Sequence, residues 1–515
     1  MPLPSRPRVA PSPRSFDAAF PWIVTAVFAA LASWGAAHHE MWRDEMQAWL
    51  LARDSATPFE LLRNMRYDGH PALWHLLLMP LTRITRAPIA MTVAHLAIAT
   101  TTVFLVARHA PFTRLQRALF AFGYFPLYEL AVIRRCYALG LLFVVLVCIH
   151  HPKRFARPVV HGALVFLLTQ ANVVAMIVGV AYTSALALEI VERRRDPELA
   201  WPHASASVAL GAAGAALCIL QVMPPADSIF ESPGLRAAPA VVFGLPTRAV
   251  FAVPPPTFFF WNDNVLFAWP PFAKVAPFVS CAILLWLAFL LTRARIAWVS
   301  FVLGAAALLA LFAFVYLGDT RHHGFFFVLF VLGAWLAWGS TRDGNAAGWR
   351  RLRDAALRPT LTVILIVHVA GAAIALTFDR RYVFSSGARA AEVLRARGLT
   401  DAPMVGEPDY AAETVIGYLG CDAIYNPRTG GKTSYVTPST GRRLVNLSDD
   451  EVLAFAARVA AIEQRSVVII VNRPIAPDAA RARSLETIAE LYDSMIEAEN
   501  FYLYELPVSA AARER

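Results

Sequence analysis

The sequence predicts a polytopic α-helical membrane protein that carries a small α/β domain in its C-terminal part. First, 57% of the 515 residues are hydrophobic and only 16% are charged, a composition beyond what a water-soluble core needs. Second, the apolar residues form repeated runs of the length that crosses a bilayer. Third, the pattern changes after residue 379, where amphipathic helical segments alternate with short apolar runs.

The charge distribution supports a membrane protein and argues against a nucleic-acid-binding one. The formal net charge is +10, which alone would be compatible with either class. The basic residues, however, occur in short clusters between apolar runs, and this placement orients membrane helices. The five cysteines form no CxxC pair. We therefore predict membrane lipids as partners, no nucleic acid and no disulfide framework.

The N-terminal region predicts a tail followed by a first span. Residues 1–17 are rich in proline and arginine and have little to bury, so we predict a disordered cytosolic tail. The apolar run 18–37 is long enough to be retained as a spanning helix instead of being cleaved as a signal. The arginines before it keep the N-terminus in the cytoplasm. Residues 38–87 then form a first outer loop.

The first outer loop predicts two helices that lie against the membrane. Residues 44–52 have helical spacing, with Trp42 and Met46 on one side. We expect this helix to lie at the interface with its carboxylates toward water. Residues 71–84 are apolar but short, so we predict a second helix on the outer leaflet that does not cross.

The later basic clusters agree with that topology. If 71–84 does not cross, the clusters after it fall on the cytoplasmic side, as the positive-inside rule requires. The result is about eleven spans, and the ten after the first are 89–107, 115–132, 134–149, 159–170, 173–190, 204–222, 271–291, 296–317, 324–338 and 361–377. The transmembrane domain then covers residues 18–378, with a second long outer loop at 223–270.

The last region, residues 379–515, predicts an extracytoplasmic α/β domain. Helices are expected at 388–397, 449–462 and 481–497, and strands at 403–405, 467–471 and 501–506. The GGKTS segment, residues 430–434, lacks the first glycine and the preceding strand of a P-loop, so we interpret it as a loop.

Candidate catalytic carboxylates lie at the start of the first outer loop. Asp44 and Glu45 could supply a general base that takes a proton from a hydroxyl group. The alternative is that a surface helix needs charge for solubility and acidic residues in its first turn. Taken alone, the pair favours this second interpretation.

Candidate anion-binding residues occur at three other helix starts. His70 and Asp68 precede Pro71, which suits the first turn of a helix, where an anion could bind. Arg135, Arg321 and His322 could bind a phosphate, because guanidinium groups bind its oxygens bidentately. Arg134, by contrast, could equally extend to lipid headgroups. Asp319 accompanies Arg321 in its turn, and Trp261 lies in an aromatic patch of the second long loop.

These motifs together resemble the GT-C superfamily of membrane glycosyltransferases. The chain has W-x-D-E (Trp42, Asp44, Glu45) after the first span, then H-P (His70, Pro71) and R-x-Y (Arg135, Tyr137). The resemblance is nearest to the branch that contains protein O-mannosyltransferases, the lipid A aminoarabinose transferase and lipopolysaccharide galacturonosyltransferases. It covers residues 18–151 well and extends more loosely to residue 377. Some relatives have another acidic residue after the R-x-Y arginine, whereas this chain reads CYALG.

The resemblance implies an inverting transferase in the bacterial inner membrane. It would move a sugar from a polyprenyl-phosphate-linked donor to a hydroxyl of an envelope acceptor, namely lipid A or lipopolysaccharide, polysaccharide or protein. Asp44, with Glu45 beside it, would be catalytic. The donor phosphate would bind His70, Arg135, Arg321 and His322, and the sugar or acceptor would contact Asp68, Tyr137, Asp319 and Trp261. No cofactor is implied with certainty, and a divalent metal ion stays open.

Two other classes remain open at the level of sequence. A transporter or flippase for lipid-linked sugars would usually carry its polar groups near the membrane midplane, whereas here they gather at one face. An envelope assembly factor could use the same scaffold without catalysis.

Overall fold

The computed structural model describes residues 13–229, 234–338 and 348–508. Within these ranges, a bundle of apolar helices is followed by a domain built on one six-stranded sheet. The predicted fold class, a polytopic helical membrane protein with a C-terminal α/β domain, is therefore confirmed. Most of the tail expected over residues 1–17 lies outside the described residues.

The first part of the chain contains ten helices. A 3-10 turn, Met65–Tyr67, precedes the fourth helix, and another, His151–Lys153, follows the seventh. The fourth helix has 12 residues, so a short helix forms where one was predicted, and its position on the outer leaflet stays a prediction. The helices are α1 (Pro13–His38), α2 (Arg43–Asp54), α3 (Pro58–Asn64), α4 (Leu73–Ile84), α5 (Ile89–His109), α6 (Arg114–Ala121), α7 (Tyr137–His150), α8 (Pro158–Thr169), α9 (Val173–Glu192) and α10 (Trp201–Val222).

The second part begins with the long loop, whose described residues contain two short helices, in keeping with its many prolines. A one-turn helix lies between two longer ones, at the turn that the sequence places between spans. The helices are α11 (Pro239–Val242), α12 (Leu245–Val250), α13 (Pro270–Leu291), α14 (Arg295–Phe314), α15 (Thr320–His323), α16 (Phe325–Trp338) and α17 (Trp349–Arg381).

Seven of these helices are long and apolar enough to cross a membrane: α1, α5, α9, α10, α13, α14 and α17. Helices α7, α8 and α16, also expected as spans, are shorter, with 14, 12 and 14 residues. In α16, every side chain from Phe325 to Ala337 is buried. A helix that is apolar all round and buried all round belongs at the centre of a bundle.

One predicted span is not a continuous α-helix. Residues 115–132 divide into α6, which ends at Ala121, and a π-helical turn, Tyr124–Glu129. Pro126 has no N–H to donate, so the regular α-helical ladder cannot pass through it. The Leu130 N–H instead reaches the Phe125 carbonyl at 2.8 Å. Such π-helical turns often occur at functional sites.

The C-terminal domain is a mixed sheet with helices on both faces. The strand order is β3-β2-β1-β4-β6-β5, with β1 parallel to β2 and β4 and the other pairs antiparallel. The elements are α18 (Gly387–Ala396), β1 (Met404–Glu407), α19 (Asp409–Leu419), β2 (Ile424–Asn426), β3 (Gly431–Thr433), α20 (Asp449–Glu463), β4 (Val467–Val471), α21 (Pro477–Ala482), β5 (Glu486–Leu491) and β6 (Phe501–Leu506). Strand β4 is buried on both faces, which explains its unbroken apolar run.

Two expectations for this domain are wrong. The segment 481–497, predicted as one helix, contains strand β5 at its centre, because antiparallel pairing with β6 overrides a helical pattern in the sequence. The segment interpreted as a loop at 430–434 contains the edge strand β3, which pairs with β2. Helix α19 and strand β2 were not predicted. Strand β2 has three residues, and the burial of both elements depends on neighbours that are distant in the sequence.

Helix α17 approaches the loop after α12 so closely that only glycine fits at one position. A Cβ atom added at Gly371 would lie 1.9 Å from the carbonyl oxygen of Ala252. We predict that Gly371→Ala lowers the free energy of unfolding by about 1 to 3 kcal/mol, because the backbone must move. Thermal denaturation of the detergent-solubilised protein measures this change.

The matched control is Gly431→Ala, since an added Cβ there meets nothing within 4 Å. If both variants had the same melting temperature as the parent, the close approach would be contradicted.

Candidate active site

Three segments that are distant in the sequence meet at one end of the helical bundle. They are the start of α2, the stretch that leads into α7, and the turn that contains α15. Arg321 Nη2 lies 3.1 Å from Asp44 Oδ2 and 3.1 Å from Asp319 Oδ2. Arg135 Nη1 lies 3.7 Å from Asp44 Oδ2 and also donates to the Asp44 carbonyl. Two guanidinium groups therefore flank one carboxylate.

The Arg321 guanidinium is buried and only partly satisfied. Its side chain is 4% exposed, and its Nε and Nη1 have no acceptor among the described residues. The rings of Trp42 and Trp261 lie 5.8 and 5.5 Å from its Cζ. A buried guanidinium normally has its donors filled, so the unused donors of Arg321 point to an anionic ligand. Planar, bidentate recognition of phosphate is what guanidinium groups do best.

Asp44 and Glu45 have opposite environments although they are adjacent. The Asp44 side chain is 29% exposed and faces the two arginines, whereas the Glu45 side chain is fully buried. Glu45 accepts from the Arg134 N–H at 2.7 Å and from the Trp42 N–H at 3.2 Å. The expectation that the carboxylates of α2 face water is therefore wrong for Glu45. This carboxylate satisfies the Trp42 N–H just before the first residue of α2.

A buried histidine completes the environment of Glu45. His39 Nε2 lies 3.1 Å from Glu45 Oε2, and its Nδ1 lies 3.0 Å from Asp379 Oδ2 at the end of α17. Burial alone would lower the pKa of His39, but Asp379 and Glu45 raise it to about 9. Burial would likewise raise the pKa of Glu45, but His39 and Arg134 lower it to about 2. The cluster is an imidazolium held between two carboxylates.

Arg134 belongs to this cluster and not to the lipid surface. Its guanidinium Nη1 donates to the His39 carbonyl at 3.2 Å, and its Nη2 donates to the Ala36 carbonyl. With 3% of its side chain exposed, it cannot reach lipid headgroups. The interpretation that gave Arg134 a headgroup contact is therefore wrong.

The remaining predicted polar residues form one hydrogen-bonded chain. His322 Nε2 lies 2.7 Å from the Tyr137 hydroxyl, which lies 3.3 Å from His70 Nε2. His70 Nδ1 lies 3.1 Å from Asp68 Oδ2. At the other end, His322 Nδ1 accepts from the Asp319 backbone N–H at 2.9 Å.

The backbone bond to His322 assigns the direction of the hydrogen bond between His322 and Tyr137. Because an N–H group only donates, His322 Nδ1 carries no proton, and its Nε2–H donates to Tyr137. Burial and the charge of Arg321 lower the pKa of His322 well below its usual value. A neutral His322 with both nitrogens occupied holds Tyr137 and the Asp319 turn in place.

The indole of Trp261 is positioned by Glu129, a residue that the sequence did not single out. Its indole Nε1–H donates to Glu129 Oε1 at 3.1 Å, and Tyr124 donates to the same oxygen at 2.8 Å. Glu129 lies in the π-helical turn and is 1% exposed. It was missed because it falls inside an apolar run interpreted as a span. Its acidic character within that run was the available signal.

The structure thus brings every predicted site residue to one end of the bundle. Among the described residues, no group of three or more His, Cys, Asp or Glu side chains is arranged to hold a metal ion. The residues that line the arginine pair are instead suited to holding an anion next to a partly exposed carboxylate.

Comparisons with known proteins find similarity in structure only. No protein-family model and no curated protein matches the sequence. Among solved structures, the crystal structure of ArnT from Cupriavidus metallidurans in the apo state is similar, with a TM-score of 0.48 and 13% sequence identity. The alignment covers 96% of this chain and 99% of that one. At this level of similarity, the interpretation of the site depends on the contacts described above.

The cluster around His39 predicts a pH-dependent stability. The pKa of His39 is raised in the folded protein. The contribution of its charged form to the free energy of unfolding is therefore fully present below about pH 6.5 and is lost as the pH rises through about 9. We predict that the melting temperature falls over this window and that His39→Gln removes most of the slope. The contribution is on the order of 3 kcal/mol.

The control is His38→Gln, which changes an exposed neighbour that bonds to the Trp34 carbonyl and packs against the Trp34 ring at 4.8 Å. This variant should keep the parental slope. An equal slope in the His39→Gln variant would show that the histidine does not carry the charge.

Proposed function

We propose that this protein is a membrane glycosyltransferase that moves a sugar from a polyprenyl-phosphate-linked donor to a hydroxyl group of an envelope acceptor. The acceptor would be lipid A or another lipopolysaccharide component, a polysaccharide or a protein. The observation that carries the proposal is the buried Arg321 guanidinium, which contacts Asp44 through one nitrogen and leaves two others without an acceptor.

The donor phosphate binds at the two arginines. Arg321 and Arg135 lie on the same side of Asp44, and both are largely withdrawn from water, with side chains 4% and 12% exposed. A phosphate in such a place gains strong charge-assisted hydrogen bonds. The arginines lie where the apolar helices end, so a lipid-linked donor can place its phosphate here while its isoprenoid tail stays in the bilayer. His70 lies at the edge of the same region, where its Nε2 contacts the Tyr137 hydroxyl.

Asp44 acts as the general base. The acceptor hydroxyl oxygen attacks the anomeric carbon from the side opposite the polyprenyl phosphate. The new C–O bond forms as the bond to the phosphate oxygen breaks, and the hydroxyl proton passes to Asp44. Arg321 and Arg135 stabilise the negative charge that grows on the departing phosphate. Attack from the opposite face inverts the anomeric configuration.

The other polar side chains divide into those that can reach a substrate and those that support the site. Asp319 keeps a third of its side chain exposed and is placed to accept hydrogen bonds from sugar hydroxyls. Tyr137 is engaged by two histidines, and Asp68 is engaged by His70, so both orient the site. Trp261 packs edge-on against Trp42, with ring centroids 5.0 Å apart, and covers Arg321. The site opens on the extracytoplasmic side of the membrane, the same side as the C-terminal domain.

The first test replaces the base. We predict that Asp44→Asn abolishes sugar transfer, with a loss of about 1,000-fold or more, while the protein is still expressed and inserted. The measurement is mass spectrometry of envelope glycolipids and polysaccharides from cells that contain each variant.

Asp54→Asn is the matched control, because it makes the same change on the same helix at a carboxylate paired with Arg53. This control should leave transfer intact. Retained transfer in the Asp44→Asn variant would refute the base assignment, and unchanged envelope glycans after deletion of the protein would refute the transferase.

The second test concerns the donor phosphate. Arg321→Lys keeps the charge but loses the planar fork, so we predict a fall in kcat/KM for the lipid-linked donor of about 100-fold. A radiolabelled donor in detergent micelles gives the rate, and NMR of the product gives its anomeric configuration.

The control is Arg389→Lys, at an exposed arginine of the C-terminal domain that pairs with Asp493. Equal kcat/KM for the two variants would contradict phosphate binding at Arg321. Retention of the anomeric configuration would contradict direct attack by the acceptor.

A further inference from the structure

The C-terminal domain holds the segment that contains Asp44 on several sides. Hydrogen bonds from or to residues 40–47 reach four separate parts of this domain, all of them beyond residue 380. They are Phe384 N to Glu40 Oε2 at 3.0 Å, Met41 N to Tyr418 Oη at 2.6 Å, Arg43 N to Glu499 Oε1 at 2.9 Å, and Gln47 Nε2 to the Val436 carbonyl at 2.8 Å. The start of α2 is thus part of the domain interface.

Glu499 makes the contact nearest to Asp44. It lies in the 3-10 turn Glu497–Glu499 just before β6, and it is fully buried. One carboxylate oxygen accepts from the Arg43 N–H, and the other accepts from the Ser385 hydroxyl at 2.5 Å. Both oxygens are therefore occupied, and the carboxylate has a single orientation.

The Arg43 N–H is a group that the helix itself cannot satisfy. Arg43 is the first residue of α2, and the first N–H groups of a helix have no carbonyl partner within it. Capping of such groups is normally supplied by a residue next to the helix. Here Glu499 supplies it from 456 residues away, and Asp44 is the next residue after the capped one.

The Arg43 side chain is held by the same interface. Its guanidinium carbon lies 5.0 Å from the ring of Tyr410 in α19 and 5.4 Å from the ring of Trp42. Backbone and side chain of Arg43 are both positioned by the C-terminal domain. The direction in which α2 starts, and with it the direction of the Asp44 carboxylate, therefore depends on that domain.

We infer that Glu499 is a positioning residue for Asp44, through which the C-terminal domain sets the geometry of the general base. This role rests on the proposed transferase function. It gives the C-terminal domain a part in the chemical step that is separate from any contact with the acceptor. A misplaced base costs rate without weakening binding of the donor, because the donor phosphate is held by Arg321 and Arg135.

The experiment compares two replacements of Glu499 in the full-length protein, with the radiolabelled lipid-linked donor. Glu499→Ala removes the acceptor and should lower kcat about 10- to 100-fold while KM for the donor changes less than about threefold. Glu499→Gln keeps an amide oxygen that can accept from the Arg43 N–H, so it should restore most of the parental kcat. Asp493→Ala, at an exposed residue of the same domain that pairs with Arg389, should have the parental kcat.

A second variant keeps the inference testable if Glu499→Ala does not fold. Ser385→Ala removes the bond to the other carboxylate oxygen while leaving Glu499 in place, and it should lower kcat several-fold with KM unchanged. Parental kcat in a folded Glu499→Ala or Ser385→Ala variant would overturn the inference, as would a Glu499→Gln variant as slow as Glu499→Ala. Asp44→Asn is measured in the same assay. If that variant still transfers sugar, the assignment of Asp44 as the base fails, and absence of transfer by the parent protein refutes the proposed function itself. An inactive Asp44→Asn variant beside a fully active Glu499→Ala variant refutes only the positioning role.

Discussion

The contact between the Arg321 guanidinium and the Asp44 carboxylate is the interaction on which the site depends. Removing an arginine from water costs several kcal/mol unless its charge and its donors are matched. Asp44 and Asp319 supply the opposite charge, and the rings of Trp42 and Trp261 cover the guanidinium faces. Two donors are still left over. The protein thus keeps a partly unsatisfied cation at one end of the helical bundle, as the proposed binding of an anionic donor requires.

The support for that contact extends in two directions. On one side, Glu129 in the π-helical turn holds the indole of Trp261, and Trp261 covers Arg321. On the other side, Glu45 accepts from the Trp42 N–H just before α2, and Asp44 is left to face the arginines. Neighbouring acidic residues thus take separate tasks because one is buried among donors and the other is partly open. Burial and hydrogen bonds, not residue type, decide the role of each carboxylate.

The sequence predicted the membrane architecture because its signal is strong and local. Runs of apolar residues and basic clusters identify the spans without reference to the rest of the fold. It also singled out Asp44, Arg135 and Arg321, which the structure brings into contact, since charged residues beside spans are conspicuous. It could not show that Glu45 is buried or that Arg134 turns inward, because both depend on His39 and on partners from other segments. Strand β5 was missed for the same reason, since its partner β6 decides its conformation. Glu499 has no local signal at all.

The imidazole of His39 contacts Glu45, six positions away, on one side and Asp379, 340 positions away, on the other. It thereby ties the exit of the first long apolar helix to the exit of the last one among the described residues. Separating either of these helices from the bundle would leave a buried charged group without its partner, which is costly. Unfolding of one helix at a time is therefore unfavourable, and we expect the membrane region to unfold as one cooperative unit.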